Sequence, residues 1–324
     1  VELSPAVLRS QIIYGMPNLI LQLLDTPYVL TPEIYENAYS PANPDGDFKA
    51  AYALAELVDP VPQLSSTYVN SGSSTELNYG LVVGSASTRA MDSLVSNLIA
   101  TAQESFSQAA LVNIDGTPGT WRAVTAEPGN WMKPNVEGYR DATINSKTMQ
   151  VTGLSRDYRK IENRSLKSQW KIQVGKQQKT LSNGSSVSNL KLKLLEVSIL
   201  RNWLDMTLFQ TSGWILDGQK KGYVSSGTII NNDGILPLIP TTFIVGHSVS
   251  LTMKLDAADS NFAASAGAED VFLGPIPLEN ADLQKAMTGA PIQKPVNADT
   301  NVPVPLYLVG FISALVPLSP TADG

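Results

Sequence analysis

His247 is the single histidine of the chain, and imidazole is the side chain best suited to moving protons near neutral pH. It lies in Phe243-Ile-Val-Gly-His-Ser-Val-Ser-Leu251, a run that reads as a strand. A general base needs a nucleophile and an orienting carboxylate within hydrogen-bond reach. Ser248 is the adjacent hydroxyl, but neighbours on a regular strand point to opposite faces, so the sequence predicts a structural histidine. One imidazole also excludes every site that needs two, including the two-histidine zinc motifs. The absence of cysteine removes thiolate nucleophiles, thiolate zinc sites, iron–sulfur clusters and disulfide scaffolds.

Other chemistry-bearing strings fall to their context. Ser168-Gln-Trp-Lys171 matches the bare Ser-x-x-Lys string of penicillin-binding enzymes, which need both residues on one helical face. Here the surrounding alternation is that of a strand, which puts positions i and i+3 on opposite faces. Gly213 to Lys220 approaches a phosphate loop but lacks the Lys-Ser/Thr pair and carries bulky residues where backbone amides must face phosphate. Asn43-Pro-Asp45-Gly-Asp47, with Glu33 and Glu36 upstream, offers oxygen ligands without the spacing of a calcium loop. A helix cap explains Asp47 without a metal. A carboxylate-based hydrolase needs two facing acids, a spatial pairing that 29 acidic residues supply somewhere by chance. No catalytic residue, metal ligand or cofactor site is assigned, and the balance leans away from an enzyme.

Charge is the informative property. Residues 1–150 hold 7 basic and 15 acidic side chains, residues 151–254 hold 14 and 6, and residues 255–324 hold 2 and 8. The net charge of −6 conceals blocks of −8, +8 and −6. Such segregation bears on association rather than on fold. The basic block centres on Arg156, Arg159, Lys160, Arg164, Lys167, Lys171, Lys176 and Lys179, with Tyr158 and Trp170 interleaved and Asp157 and Glu162 diluting it. Lys191 and Lys193 continue it. These ten side chains are the expected interaction surface. Nucleic acid is a disfavoured partner, because the chain is acidic overall and carries no binding module. An anionic membrane surface is a second partner class. The first is another copy, whose acidic outer regions would receive the basic centre and give head-to-tail rings or filaments.

The elements that must position these residues read as follows. Leu8, Ile12 and Ile13, then Leu19, Ile20, Leu23 and Leu24, recur at helical spacing. Asp47 caps a helix through Phe48 to Leu57 that stops before Pro60. A third helix is expected from about Thr88 to Leu111, capped by Ser87 or Thr88, and residues 59–86 read as loops with short strands. Beyond Asn113 the texture turns to strands. Asp115-Gly116 marks a turn and Trp121 to Ala126 a short strand. Trp170, Ile172 and Val174 alternate with polar residues, as do Leu190, Leu192 and Leu194 beyond the turn Ser182-Asn-Gly-Ser-Ser186. The phase slips at Leu194-Leu195, which suggests a β-bulge. Further strands are expected at Tyr223–Ile230, Thr242–Leu255 and Leu306–Val316.

The expected fold is therefore α+β: a helical amino-terminal portion (residues 1–112) followed by a β-rich part (residues 113–324), a sandwich or a curled antiparallel sheet, the two readable as separate or as one integrated domain. The expected function is a non-enzymatic, self-associating structural or interaction protein. The alternative is a membrane-active, pore-forming protein using residues 168–200 as an inserting hairpin, since alternation about a Ser/Gly/Asn turn is the pattern of such hairpins. No apolar run reaches the roughly 20 residues a membrane helix needs. Asn301 to Ala322 is uncharged but broken by four prolines, Pro303, Pro305, Pro317 and Pro320. The chain reads as soluble, and a start at Val1 leaves an amino-terminal signal unassessable.

Overall fold

A computed structural model describes residues 18–89, 92–113, 120–162, 170–267, 270–296 and 305–324. Its centre is a nine-stranded, wholly antiparallel sheet. The strands are β1 (Leu19–Leu23), β2 (Val29–Leu30), β3 (Thr125–Glu127), β4 (Arg140–Ile144), β5 (Val151–Thr152), β6 (Ser186–Leu200), β7 (Leu238–Lys254), β8 (Pro291–Lys294) and β9 (Leu306–Leu315). The main path runs β1-β9-β7-β6-β4-β5, with β2 on β9, β3 on β6 and β8 on β7. Five helices of eight residues or more surround it among the described residues: α1 (Phe48–Val58), α2 (Thr75–Ser85), α3 (Ser93–Gln108), α4 (Ala257–Ala264) and α5 (Asn280–Thr288). The chain is thus α+β with a curled, half-barrel antiparallel sheet.

The curl is written into the register. Between Ser188↔Thr252 and Lys191↔Ser250, β6 carries one residue more than β7. Between Lys191↔Ser250 and Lys193↔His247, β7 carries one more than β6. Asn189 and Ser248 mark these two bulges with φ of 54° and 55°. The β7–β9 seam repeats the device, with an extra residue on β7 at Thr241 and one on β9 at Val309. Each bulge bends its strand and increases the local twist. Because they come in opposed pairs, the register is restored beyond them. Pro240 is tolerated in a central strand because it adjoins one of these irregularities.

The predicted bulge at Leu194-Leu195 is not there: Leu194↔Gly246 and Leu195↔Val245 are in continuous register. The phase of burial changes because the sheet is covered on a different face. Leu190, Leu192 and Leu194 are buried on one side, then Leu195, Val197 and Ile199 on the other. Every residue of β7 from Leu238 to His247 and all ten of β9 are buried, as expected for uninterrupted apolar runs in strands covered on both faces.

The amino-terminal portion differs from expectation in three places. Leu19 to Leu23 is strand β1, not helix. Five residues with a single polar member fit either element by periodicity, and pairing with β9 decides it. Its Leu19, Leu21 and Leu23 join the main core, while Ile20 packs on the other face with Leu238 and Leu315. Helix α2 lies within the segment read as loops; Ser74 caps it, and Gly80 is there because the Phe106 ring of α3 fills the space of a Cβ, 2.6 Å away at Cζ. Helix α3 starts later than expected, at Ser93, capped by Asp92 through the Leu94 and Val95 amides, while Ala86–Ser87 pairs instead with Ile215–Leu216. Helix α1 is capped by Asp47 and ends before Pro60, as read. Trp121–Ala126 divides into two short strands, Thr120–Arg122 and β3. No strand forms over Tyr223–Ile230, which runs as bends with one isolated bridge from Ser225 to Ser319. Leu8 to Ile13 and Asp115-Gly116 lie outside the described residues.

Candidate functional site

The described residues of the basic block are divided among two sheets and the segment around Arg159. Lys171 and Lys179 sit in a second sheet of four antiparallel strands, ordered Gln177–Thr180, Lys171–Val174, Val271–Leu273 and Ile276–Leu278. Lys171 pairs with the buried Asp25 at 2.7 Å and Lys179 with the buried Asp259 at 2.6 Å. Lys193 on β6 pairs with Asp141 on β4 at 3.0 Å. Each of these bridges joins the basic middle of the chain to one of its acidic flanks, within one molecule. Lys176 and Lys191 are exposed. Arg164 and Lys167 lie outside the described residues.

Arg156, Arg159 and Lys160 belong to a strap laid along the free edge of β1. The Arg159 amide donates to the Leu19 carbonyl, and the Arg159 carbonyl accepts from the Leu21 amide. Its guanidinium donates to Asn18 Oδ1 at 2.7 Å. Backbone groups that an edge strand would offer to another chain are thereby occupied. Lys160 donates to the Thr148 and Met149 carbonyls, and burial lowers its pKa to about 8. Lys147, Arg156 and Lys160 line one cleft of about 540 Å³, together with Leu21, Val151 and Leu154 and with Asp157 and Glu162. Lys147 was missed in the sequence because it lies inside an acidic block; only the fold brings it beside the strap.

The described residues of the segment 168–200 do not form one hairpin about the Ser182–Ser186 turn. Lys171–Val174 pairs with Gln177–Thr180 in the second sheet, whereas β6 pairs with β7, β4 and β3 in the main sheet. The Ser182–Ser186 turn is instead anchored to the start of α4. Asp259 accepts from the Ser182 amide at 2.8 Å and the Ser185 hydroxyl at 2.6 Å, and Asp256 accepts from the Ser182 hydroxyl.

Around His247 the expectation from alternation fails. The bulge at Ser248 turns its side chain back, so that its Oγ lies 2.8 Å from His247 Nδ1. The Val296 amide donates to the same Oγ at 3.2 Å. Asp141, Lys193 and His247 are successive cross-strand partners over β4, β6 and β7, and the Tyr139 ring meets the imidazole edge-on at 4.4 Å. Burial lowers the His247 pKa; the Pro134 carbonyl opposes this and the Lys193 charge adds to it. The net effect favours the neutral imidazole. The carboxylate of this row is held by Lys193, and the serine hydroxyl is anchored twice, which is a structural arrangement rather than a catalytic one.

A second cleft, of about 390 Å³, lies between α1 and α2. Tyr52, Glu56, Asp59, Asn70, Ser73 and Trp121 line it, with Glu76 at its inner side. Glu76 binds Arg122 at 2.7 Å; burial nonetheless raises its pKa, outweighing the guanidinium. Asp59 Oδ1 accepts the Glu76 amide at 2.9 Å. Two of its three carboxylates are thus engaged in holding α2. Among the described residues no group of three or more potential metal ligands occurs, and no helix is long and apolar enough to cross a membrane. Comparison with family models, curated proteins and solved structures finds no match to the chain. Fold and site define no more than a class, an α+β protein built on a curled antiparallel sheet.

Proposed function

We propose that the chain is a non-enzymatic structural protein that associates head to tail with copies of itself. The basic cleft formed by Lys147, Arg156 and Lys160 receives an acidic surface of the next copy. The observation that supports this is the opposite charge of two remote surfaces. The loop Glu33–Asp47 bears exposed Glu33, Glu36, Asp45 and Asp47 around Ile34, which is 51% exposed. It is tied together by the Asp47 amide to the Asn37 carbonyl and by Asn43 to Asn37 and Ala38. The cleft holds three cations against two carboxylates. Contact between two different surfaces of one chain is heterologous and gives rings or filaments.

Light scattering at low and high salt tests it. Species larger than one chain at low salt, shrinking as salt screens the contact, are expected; a monomer at both salts removes the proposal. Glu33→Lys with Glu36→Lys, and separately Lys147→Glu with Arg156→Glu, should each abolish assembly, and mixing the two variants should restore assemblies in which they alternate.

A further inference from the structure

We infer that Asn183–Gly184 is a site of spontaneous covalent modification, where the chain converts Asn183 to isoaspartate and aspartate and thereby loosens the Ser182–Ser186 turn from α4. This is independent of self-association. The pair is the sole Asn-Gly of the chain. Both residues are exposed at the tip of the turn, which the Ser185 amide closes on the Ser182 carbonyl at 3.1 Å. A cyclic imide forms when the amide nitrogen of the following residue reaches the asparagine Cγ. Glycine, with no Cβ, hinders that approach least.

Neither reacting group is engaged. Among the described residues, the Asn183 side chain and the Gly184 amide have no hydrogen-bond partner. The two Asn-Ser pairs, at Asn70 and Asn145, supply the contrast. Both asparagines are also exposed. Asn70 Oδ1, however, holds the Gly72 amide at 2.7 Å, and Asn145 Oδ1 holds the Lys147 and Thr148 amides at 2.9 and 3.1 Å. Each of these carboxamides must give up its local bonds before it can close a ring. The fold also keeps the nucleophile small. A Cβ at Gly184 would lie 2.7 Å from Asp256 Oδ2 and 3.0 Å from Asp256 Cβ, so a bulkier and less reactive residue has no room there.

Water is the one co-reactant. The Gly184 nitrogen bonds to Asn183 Cγ, the Cγ–Nδ2 bond breaks, and ammonia leaves with the Gly184 amide proton. Water then opens the ring at either carbonyl. Opening at Cγ gives aspartate. Opening at the main-chain carbonyl gives isoaspartate, which routes the main chain through Cβ and Cγ and lengthens it by one atom. Either product adds a carboxylate beside Asp256 and Asp259, where Lys179 pairs with Asp259 at 2.6 Å. Like charge added next to aspartates disrupts by repulsion, and the longer chain displaces Gly184, which already abuts Asp256. The contacts at stake are those of Ser182 and Ser185 with Asp256 and Asp259.

Ageing of the whole protein in mildly alkaline buffer, followed by tryptic peptide mapping against an unaged control, tests the inference. Asn183 should gain about one mass unit and appear in two chromatographic forms, isoaspartyl and aspartyl. Its rate in the folded protein should lie within about threefold of its rate in urea, whereas folding should slow Asn70 and Asn145 by about tenfold or more. Aged wild type should melt at a lower temperature than fresh protein, and aged Asn183→Gln should not. That variant replaces an exposed side chain with no bonds to lose, and glutamine must close a less favourable six-membered ring. Aspartate as the sole product, slowing of Asn183 by folding as great as that of Asn70 and Asn145, or melting temperatures that age alike in wild type and Asn183→Gln would each overturn it.

Discussion

His247 Nδ1 and Ser248 Oγ share a hydrogen bond of 2.8 Å although they are consecutive residues of one strand. A bulge with φ of 55° at Ser248 makes this contact, and the Val296 amide completes it. Ser248 thus links β7 to the segment that follows β8. Ser248→Ala takes the Ser248 Oγ partner from the Val296 amide and from His247 Nδ1. It is expected to lower stability by about 1–3 kcal/mol, the cost of an unsatisfied buried group, as read from urea unfolding.

The same imidazole makes stability depend on pH. Burial, only partly opposed by the Pro134 carbonyl, lowers the folded-state pKa below the ordinary value of 6.5. The unfolded chain therefore binds a proton more readily, so this contribution is complete above pH about 6.5 and is lost as pH falls below it. The melting temperature should drop between pH 7.5 and 5.5, and the drop should be smaller in His247→Gln.

Asp259 adds a second loss of stability in acid, of the same sign but at lower pH. Burial alone would raise its pKa, but Lys179, Ser185 and the Ser182 amide together lower it. Its contribution is present above the ordinary carboxylate range and lost as pH falls through the lowered value. Asp259→Asn should cost about 2–3 kcal/mol at pH 7 through weakened charge-assisted hydrogen bonds. Denaturant titrations at pH 7 and pH 3 should show the difference between variant and wild type shrinking in acid.

Arg201 is buried, with one nitrogen donating to the Pro240 carbonyl and another to the Val58 carbonyl. It fastens the end of α1 to the irregular start of β7, and burial lowers its pKa to about 10. Arg201→Leu strands both carbonyls and should destabilise by about 2–4 kcal/mol, measured by calorimetry.

Two glycines of α2 should behave oppositely. At Gly84 a Cβ would meet nothing within 4 Å, so Gly84→Ala should stabilise by about 0.5–1 kcal/mol from backbone entropy. At Gly80 it would strike the Phe106 ring, which is itself covered by the Arg122 guanidinium at 3.4 Å. Gly80→Ala should cost about 1–3 kcal/mol through overpacking. Thermal melts of the two single variants decide the sign of each.

What could be read from the sequence was what local chemistry dictates. The Asp47 cap, the stop at Pro60 and the long apolar runs of β7 and β9 announce themselves because one short stretch of chain is sufficient cause. Strand β1 does not, since its five residues suit a helix equally until β9 is alongside. Helix α2 was hidden because Gly80 and Gly84 weaken its local preference, and the reason for Gly80 lies 26 positions away in Phe106. The charge blocks were legible as a sum. Their partners were not, because Lys171–Asp25 and Lys179–Asp259 span 146 and 80 positions. The α1–α2 cleft gave no signal at all, as Tyr52, Asn70 and Trp121 come from three separate elements.

The opposed bulges at Asn189 and Ser248 have a genetic meaning. Each is one residue more than its ladder needs, so the pairs on both sides hold without it. Without Asn189, Leu190 would face Leu251, and Val187 would still meet Met253. A single-residue deletion at either position is thus one the sheet can absorb, at the expense of its local curl and, at Ser248, of the contacts to His247 and Val296.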